Sequence, residues 1–339
     1  MIKTYGIHHV TSVVGPAQEN VDFNAGVLDL RLLKKTLNFN DRHGYHLYFG
    51  NATGNTGITT TFPIRGLKPG VIGGGQVKSV QYAIPSGQTG FWKDHLLRYG
   101  IDSENATYLK ESNLVLKDPS GLRLEMVEME KGPDEQPDFG RISSDKAIIG
   151  IHSATLASMA PLETLKVLTE VMGYEVVKED EEYYRLKVHD ELGGELFLNK
   201  TAGDRGSYGT GTVHHIAFAI RDEEIEAWRE HLTEKGLRPT DIKDRKYFKS
   251  IYFREKGGIL FEFATEGPGF LIDEDQEHLG EKLMIPPHFS DYKEEIEKEI
   301  EPLEVREVES IVEAAGRFSI DPSYKLSVKS IGTDASIKE

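Results

Sequence analysis

Four stretches of this chain follow the same order of elements, and this internal repeat limits the folds that are open to it. Each stretch reads as a strand, a helix and then three strands, and the first strands lie at 6–11, 79–84, 150–156 and 213–220. The first and third begin with Gly-Ile-His, while the first and fourth share His-His followed by a β-branched residue. We call the four units modules one to four.

Each module continues with a helical stretch and a closing hairpin. The expected helices cover 16–28, 90–99, 161–172 and 223–235. In the last of these, Ile225, Trp228 and Leu232 recur at spacings of three and four, so one helix face is expected to be buried. Modules two and four end in a strand, a glycine turn and a strand that finishes on a glutamate, Glu125 or Glu262. The pattern predicts an α+β fold built from four βαβββ modules.

The 339 residues are enough for two domains. Residues 1–130, modules one and two, are expected to form the first domain, and residues 146–270, modules three and four, the second. Residues 131–145 are rich in glycine, proline and charge, which indicates a linker. Residues 271–339 are expected to form a C-terminal extension with a charged helix near 292–300.

Composition narrows the classes of function. The formal net charge of -16 argues against nucleic acid or an anionic membrane as the main partner, because both attract positive surfaces. No stretch approaches the roughly 20 apolar residues of a membrane span, and the N-terminus lacks a signal-peptide pattern. We therefore expect a cytoplasmic protein. The chain has no cysteine, so any metal must be held by nitrogen and oxygen ligands.

The repeat singles out two histidines and one glutamate. Neighbouring side chains of a strand point to opposite faces, so only one residue of each His-His pair is expected to face a site. Module three keeps a histidine at the His8 position but has Ser153 at the His9 position. A position whose chemistry changes between modules is the better candidate for function. We therefore predict that His9 and His215 are metal ligands, with Glu262 as the third.

The number of ligands indicates which modules share a site. If modules one and four face each other, the three predicted ligands meet, whereas modules two and three offer only Gln81, Ser153 and Glu125. We therefore predict one metal site between modules one and four, and a vestigial site in which Glu125 is structural. Two imidazoles and one carboxylate form the facial triad of non-haem iron(II) oxygenases, which leaves open positions for substrate and dioxygen.

The arrangement resembles the vicinal oxygen chelate superfamily, which includes glyoxalase I, fosfomycin-resistance proteins, methylmalonyl-CoA epimerase and extradiol dioxygenases. It is most similar to the glyoxalase-type ring-cleaving dioxygenases of hydroquinone-like substrates. The resemblance is carried by residues 6–11, 45–50, 211–218, 244–248 and 250–262. It implies two tandem vicinal-oxygen-chelate domains with U-shaped mixed sheets.

The resemblance also implies an activity. This is the cleavage of a small dihydroxylated aromatic with incorporation of both atoms of O2, and the implied metal is Fe2+, with Mn2+ as the alternative. His46 is our candidate general base, and Tyr252 and Tyr247 are candidates to contact substrate or oxygen. Three further residues are predicted to bind substrate: Arg245, His8 and His214.

The chain departs from the extradiol signature at three places. Lys256 stands where the signature has a proline, and residues 243–245 replace an upstream histidine. Residues 59–61, all threonine, occupy the strand of the partner module that carries the usual acid/base histidine. The three predicted metal ligands are unaffected by these departures.

Two alternatives stay open. A glyoxalase-like lyase or isomerase holds its metal with four protein ligands, but the matching strand, residues 59–62, offers only threonines and Phe62. A metal-free protein that sequesters a small aromatic, as bleomycin-resistance proteins do, predicts that the histidines bind no metal. The sequence leaves the oligomeric state undecided, with a homodimer as one option.

Overall fold

The computed structural model describes residues 2–54, 57–130 and 138–308. The predicted linker and C-terminal extension therefore fall partly outside the described residues, at 131–137 and 309–339.

The strands follow the module order. Module one contains β1 (Ile7–Val14), β2 (Arg31–Asn38), β3 (Asp41–Gly50) and β4 (Ile58–Pro63), and module two contains β5 (Gln76–Pro85), β6 (Ser103–Tyr108), β7 (Glu111–Lys117) and β8 (Arg123–Met129). Module three contains β9 (Gly150–Ala157), β10 (Glu175–Glu179), β11 (Tyr183–Lys187) and β12 (Glu195–Asn199). Module four contains β13 (Thr212–Ile220), β14 (Lys243–Asp244), β15 (Lys249–Arg254) and β16 (Leu260–Thr265), and β17 (Leu283–Met284) follows.

Each module also has the predicted helix after its first strand. These helices are α1 (Ala17–Val21) with a π-helical turn at Asp22–Val27, α2 (Thr89–Arg98), α3 (Pro161–Lys166) with a π-helical turn at Val167–Val171, and α4 (Ile225–Glu234) preceded by a 3-10 turn at Asp222–Glu224. The C-terminal segment holds three 3-10 turns (Phe270–Ile272, Gln276–His278 and Pro287–Tyr292) and α5 (Lys293–Glu299). The predicted α+β class and the βαβββ order are confirmed.

The strands form two mixed sheets. The first has nine strands in the order β14-β15-β16-β13-β1-β4-β3-β2-β17, and the second has eight in the order β10-β11-β12-β9-β5-β8-β7-β6. Modules one and four therefore share one sheet, joined by antiparallel β1 and β13, and modules two and three share the other. This confirms the predicted pairing of modules. Both sheets cross the proposed boundary between residues 130 and 146, and whether 1–130 and 146–270 fold independently stays a prediction.

The largest apolar cluster of the described residues lies beneath the helices. The helical stretch of each module contributes at least one fully buried side chain to it, among them Phe23, Trp92, Leu168 and Trp228. Such burial explains why the amphipathic pattern of α4 marks a real helix. Among the described residues, no helix combines the length and apolarity that a bilayer crossing requires.

The C-terminal segment packs against module one. β17 pairs in parallel with β2 at the sheet edge, and the Tyr45 hydroxyl donates to the carbonyl oxygen of Glu301 over 2.6 Å. The Arg306 guanidinium donates to both carboxylate oxygens of Asp22. The segment thereby covers a sheet edge that would otherwise present unpaired backbone groups.

Register places the predicted site residues in two rows across the first sheet. One row contains Tyr252, Glu262, Ala217 and His9, each paired with the next. The other contains His215, Thr11, Thr60 and Tyr48, also paired in succession. Because side chains two apart in a strand share a face, these rows bring residues from six strands to the same side of the sheet.

Candidate metal centre

Three side chains from two modules meet on this face. Nε2 of His9 lies 3.2 Å from Nε2 of His215, and Oε2 of Glu262 lies 3.3 Å from the first and 2.8 Å from the second. All three residues are buried, at 2%, 4% and 0% exposure. Among the described residues, this is the one group of three or more histidine and acidic side chains whose ligand atoms all lie within 4.8 Å of one another.

The spacing and the chemistry of these atoms suit a divalent cation. With metal–ligand bonds of about 2.1 Å, ligand atoms at right angles are about 3.0 Å apart, close to the observed separations. Oε2 of Glu262 is buried and has no hydrogen-bond partner among the described residues, while Oε1 accepts a hydrogen bond from Ser250. An orphaned, buried carboxylate oxygen needs positive charge beside it. The three residues therefore fit a bound metal ion.

Electrostatics favour the protonation states that ligands need. Burial by itself raises the pKa of Glu262, but His9 and His215 outweigh it and hold that pKa well below its usual range. Burial lowers the pKa of His215, against the opposing effect of Glu262. An ionised carboxylate and a neutral imidazole are the forms that coordinate metals.

His8 and His214 contact the two candidate ligands through their rings. Nδ1 of His8 lies 2.8 Å from Nδ1 of His9, and Nδ1 of His214 lies 2.7 Å from Nδ1 of His215. The register of β1 and β13 skips both His8 and His214, so each is a β-bulge residue. A bulge sets two residues against one and interrupts the alternation of side chains. His8 and His214 therefore lie beside the candidate ligands at bulges, where strict alternation of side chains does not apply, while His9 and His215 alone of each pair join the cluster.

The bulge recurs in the second sheet, where the register skips Lys78 and His152. Nδ1 of His152 lies 2.8 Å from the Ser153 hydroxyl. The bulge is thus a feature of all four modules. In modules one, three and four the bulge residue is a histidine, and in module two it is Lys78.

Tyr252 and Arg245 lie beside His215. The Tyr252 ring centroid is 5.6 Å from that of His215, and the Arg245 guanidinium carbon is 5.4 Å from the Tyr252 ring centroid. Burial and then Glu262 raise the pKa of Tyr252, with Arg245 acting in the opposite sense. The pair offers a protonated phenol and a cation next to the cluster.

Tyr247 is oriented differently. Its hydroxyl donates to Oδ2 of Asp273 over 3.0 Å, and its ring packs on Phe270 of the C-terminal segment. The Lys34 ammonium lies 5.1 Å from the Tyr247 ring centroid. The hydroxyl is thus already engaged with a carboxylate outside the cluster.

Two phenylalanines that the sequence argument did not select enclose the cluster. Phe248, from module four, lies against His8 and His9 of module one. Phe62, from module one, lies against His214 and His215 of module four. Alternation along β4 from Thr60 identifies Phe62, whereas Phe248 lies outside any strand and leaves no such signal.

Comparison with known proteins agrees with this geometry. The family described as the Glyoxalase/Bleomycin resistance protein/Dioxygenase superfamily matches residues 150–263. A Bacillus subtilis protein named "Putative ring-cleaving dioxygenase MhqO" is 44% identical over 309 residues, which cover 91% of this chain and 99% of that protein. The chain belongs to this superfamily.

Two further proteins match most of this chain. A crystal structure titled as a "putative dioxygenase" from Bacillus subtilis superimposes with a TM-score of 0.88 at 44% identity, and covers 91% of this chain and 100% of its own. The chlorohydroquinone/hydroquinone 1,2-dioxygenase of Sphingobium indicum is 33% identical over 309 residues, which cover 87% of this chain and 95% of the relative. The predicted superfamily and its ring-cleaving dioxygenase branch are confirmed.

The second sheet contains a counterpart of the cluster that lacks both histidines. Its register sets Ser153 in the place of His9, Ser79 in that of His215 and Glu125 in that of Glu262. Ser79 rather than Gln81 therefore takes the second ligand position.

Glu125 has hydrogen-bond partners where Glu262 has an orphaned oxygen. Asn113, Gln81, Tyr108 and Arg123 all donate to its carboxylate, over 2.9–3.2 Å. The Arg123 guanidinium supplies the positive charge. This agrees with the prediction that Glu125 is structural.

Proposed function

We propose that this protein is a metal-dependent dioxygenase that cleaves a hydroquinone- or catechol-like ring at the cluster of His9, His215 and Glu262, with Fe2+ as the metal and Mn2+ as the alternative. The observation that carries the proposal is a buried set of three ligand atoms with one orphaned carboxylate oxygen. The names of the full-length relatives, ring-cleaving and hydroquinone dioxygenases, support the reaction class.

Three protein ligands suit oxygen chemistry better than lyase chemistry. By register, Thr60 stands in module one where Glu262 stands in module four. The Thr60 hydroxyl already forms hydrogen bonds with Thr11 and His46. A glyoxalase-like enzyme needs a strong fourth ligand at this place, and a threonine engaged in two hydrogen bonds does not provide one.

The residues around the cluster have different roles in this proposal. A metal here supplies positive charge that stabilises negative charge on bound oxygen atoms. Arg245 and Tyr252 present a guanidinium and a phenol to an oxygen of the substrate. Phe62 and Phe248 flank the site with ring faces and edges, which favour an aromatic substrate and exclude water.

The supporting roles go to residues behind the ligands. We propose that His8 and His214 fix the ring orientation of His9 and His215 through their Nδ1 atoms, since partners of this kind tune metal-binding imidazoles. Tyr247 holds the wall of the site through Asp273. His46 acts through Thr60 and Thr11 rather than on the substrate directly.

Oxygen consumption tests the proposal. The protein is purified anaerobically, loaded with Fe2+ or Mn2+, and offered hydroquinones, catechols and lactoylglutathione. We expect one O2 to be taken up for each diphenol consumed, only in the metal-loaded protein, and no turnover of lactoylglutathione. Diphenol binding without bound metal or oxygen uptake would favour the sequestering protein instead.

A further inference from the structure

A line of hydrogen bonds runs from the ligand cluster to Tyr48. Nε2 of His215 lies 2.8 Å from the Thr11 hydroxyl, which lies 2.7 Å from the Thr60 hydroxyl. The Thr60 hydroxyl lies 3.0 Å from Nε2 of His46, and Nδ1 of His46 lies 3.0 Å from the Tyr48 hydroxyl. None of the five residues is more than 8% exposed. Bulk water therefore has little access to these groups.

All the hydrogen bonds in this line run the same way, with the donor on the Tyr48 side and the acceptor on the His215 side. Among the described residues, Nδ1 of His46 is the sole hydrogen-bond partner of the Tyr48 hydroxyl. A buried O–H that kept its proton from this acceptor would be left unsatisfied, so Tyr48 donates to Nδ1. A neutral imidazole that accepts at Nδ1 carries its proton on Nε2. His46 therefore donates to Thr60.

The two threonines continue the same order of donors and acceptors. Thr60 accepts from His46 and so donates to Thr11, which in turn donates to Nε2 of His215. A hydroxyl both accepts and donates, whereas an ionised carboxylate only accepts. A glutamate at the Thr60 position, like that of module four, would interrupt the line. The hydroxyl at this place is what makes the line continuous.

The last two groups of the line keep their protonation states, because Tyr48 does not lose a proton readily and His46 does not gain one. Burial raises the pKa of Tyr48 well above its usual range, and Tyr252 and Glu262 add to the effect. Burial lowers the pKa of His46 well below its usual range, with His9, His215 and Arg245 acting in the same sense. The phenol and the neutral imidazole therefore persist across the physiological range of pH.

We propose that Tyr48, His46, Thr60 and Thr11 form a one-way hydrogen-bond chain that holds the Thr11 hydroxyl as a fixed donor at the ligand cluster. Because the Thr11 hydroxyl donates to it, Nε2 of His215 holds its lone pair rather than a proton, which is the tautomer that a cation binds at this nitrogen. When that lone pair is taken, the Thr11 hydroxyl is available to an oxygen atom of a molecule bound beside the cluster. His46, Thr60 and Tyr48 are positioning residues, and His46 is not the general base.

The direction of the chain is measured on the histidine rings. Nitrogen-15 NMR is recorded on the full chain with labelled histidine, without metal and after loading with diamagnetic Zn2+, with the His46 signals assigned by His46→Gln. We expect Nε2 of His46 to carry the proton and Nδ1 to be unprotonated. Tyr48→Phe removes the donor, so both tautomers should then appear.

Thr60 has a matched control on the same strand. Thr60→Val breaks the chain and Thr60→Ser retains a hydroxyl, so we expect the His46 signals to move in the first and return in the second. Thr59→Val also removes a buried hydrogen bond, to the Tyr82 hydroxyl, but outside the chain. It should leave the His46 signals in place even if the melting temperature falls.

A proton on Nδ1 of His46 in the wild-type protein would overturn the proposal. So would His46 signals that are unchanged in both Tyr48→Phe and Thr60→Val. These readings do not depend on the proposed reaction, so the chain stands or fails on them even if no diphenol is oxidised.

The effect on turnover rests on the proposed dioxygenase function. In the metal-loaded enzyme, Thr60→Val should lower kcat about tenfold with KM, metal content and the midpoints of the pH profile unchanged. A midpoint that shifts in Thr60→Val would mean that His46 accepts a proton during turnover, and the positioning role would be wrong.

Discussion

At the scale of single residues, His215 has the richest surroundings of the three candidate ligands. Its Nε2 faces His9, Glu262 and Thr11, and its Nδ1 faces His214. No other side chain of the cluster is held from both ring nitrogens by so many partners. Substitution here should therefore affect metal binding before anything else.

His215→Ala should abolish bound metal and turnover together, because two remaining ligands hold a divalent ion poorly. Metal analysis and oxygen uptake on the same preparation measure both. His152→Ala, which removes a strand histidine of the second sheet, is the control and should keep its metal. If His215→Ala retains metal but loses turnover, His215 does not coordinate it.

Tyr252→Phe probes the residue next to the ligands. It removes the hydroxyl beside Arg245, so we expect kcat/KM to fall about tenfold or more with metal content unchanged. Tyr82→Phe removes a buried hydroxyl in the other sheet and should leave kcat/KM as it was. Equal rates for Tyr252→Phe and the wild type would show that the phenol contributes nothing to the reaction.

The sequence was informative for residues whose position repeats between modules. His9 and His215 could be selected because modules two and three carry other residues there, and Glu262 because it ends the same kind of hairpin as Glu125. Phe248 and the role of Tyr247 could not be found this way, since both depend on a loop and on Asp273 in the C-terminal segment. Such contacts have no period in the sequence.

At the scale of elements, the closing hairpins of modules two and four are the same structure in two chemical states. Glu262 retains an oxygen without a hydrogen-bond partner, whereas four neighbours donate to Glu125. The carboxylate of Glu262 is therefore available to a cation, whereas Arg123 already neutralises the carboxylate of Glu125. Matched substitutions separate these states.

Glu262→Gln and Glu125→Gln make that comparison. The first should weaken metal binding at least about tenfold and change the melting temperature little or upward, because a neutral amide relieves an unpaired buried charge. The second should keep the metal and lower the melting temperature, because Arg123 loses its partner. Metal affinity and thermal unfolding, measured on both variants, would contradict this account if the two behaved alike.

The turn of the module two hairpin carries a pH-dependent contribution to stability. Burial raises the pKa of Asp118 to about 7, against the hydrogen bonds of Leu122 and Ser120. Since the unfolded carboxyl ionises at its ordinary pKa of 3.8, a raised pKa in the folded state makes the free energy of unfolding fall as pH rises toward 7.

Asp118→Asn cannot ionise and should lack this slope. Urea unfolding between about pH 4 and pH 7 should therefore show a decline in the wild type that is reduced in the variant. Parallel curves for the two proteins would mean that Asp118 is ionised in the folded state throughout.

The secondary structure elements differ in how far the sequence predicts them. Helices and hairpins were predictable because apolar spacing and glycine turns mark them locally. The bulges at His8 and His214 were not, because a bulge depends on which residues the partner strand places opposite, and that register is absent from the sequence of one strand.

At the scale of the whole molecule, the outcome depends on how the four modules associate. Sequential pairing would separate His9 from His215 and Glu262, whereas pairing one with four brings them within 3.3 Å. The ligand count favoured this association in advance. The covering of module one by the C-terminal segment could not be foreseen, since Lys34, Asp273 and Glu274 form their buried ion pairs across long sequence separations.

Anomalous diffraction at the iron edge, on crystals of the Fe2+-loaded protein, tests the central claim most directly. We predict a single strong peak for each chain, about 2.2 Å from Nε2 of His9, Nε2 of His215 and a carboxylate oxygen of Glu262. A peak at any other place, or none between these three side chains, would contradict the metal centre and the dioxygenase function proposed for it.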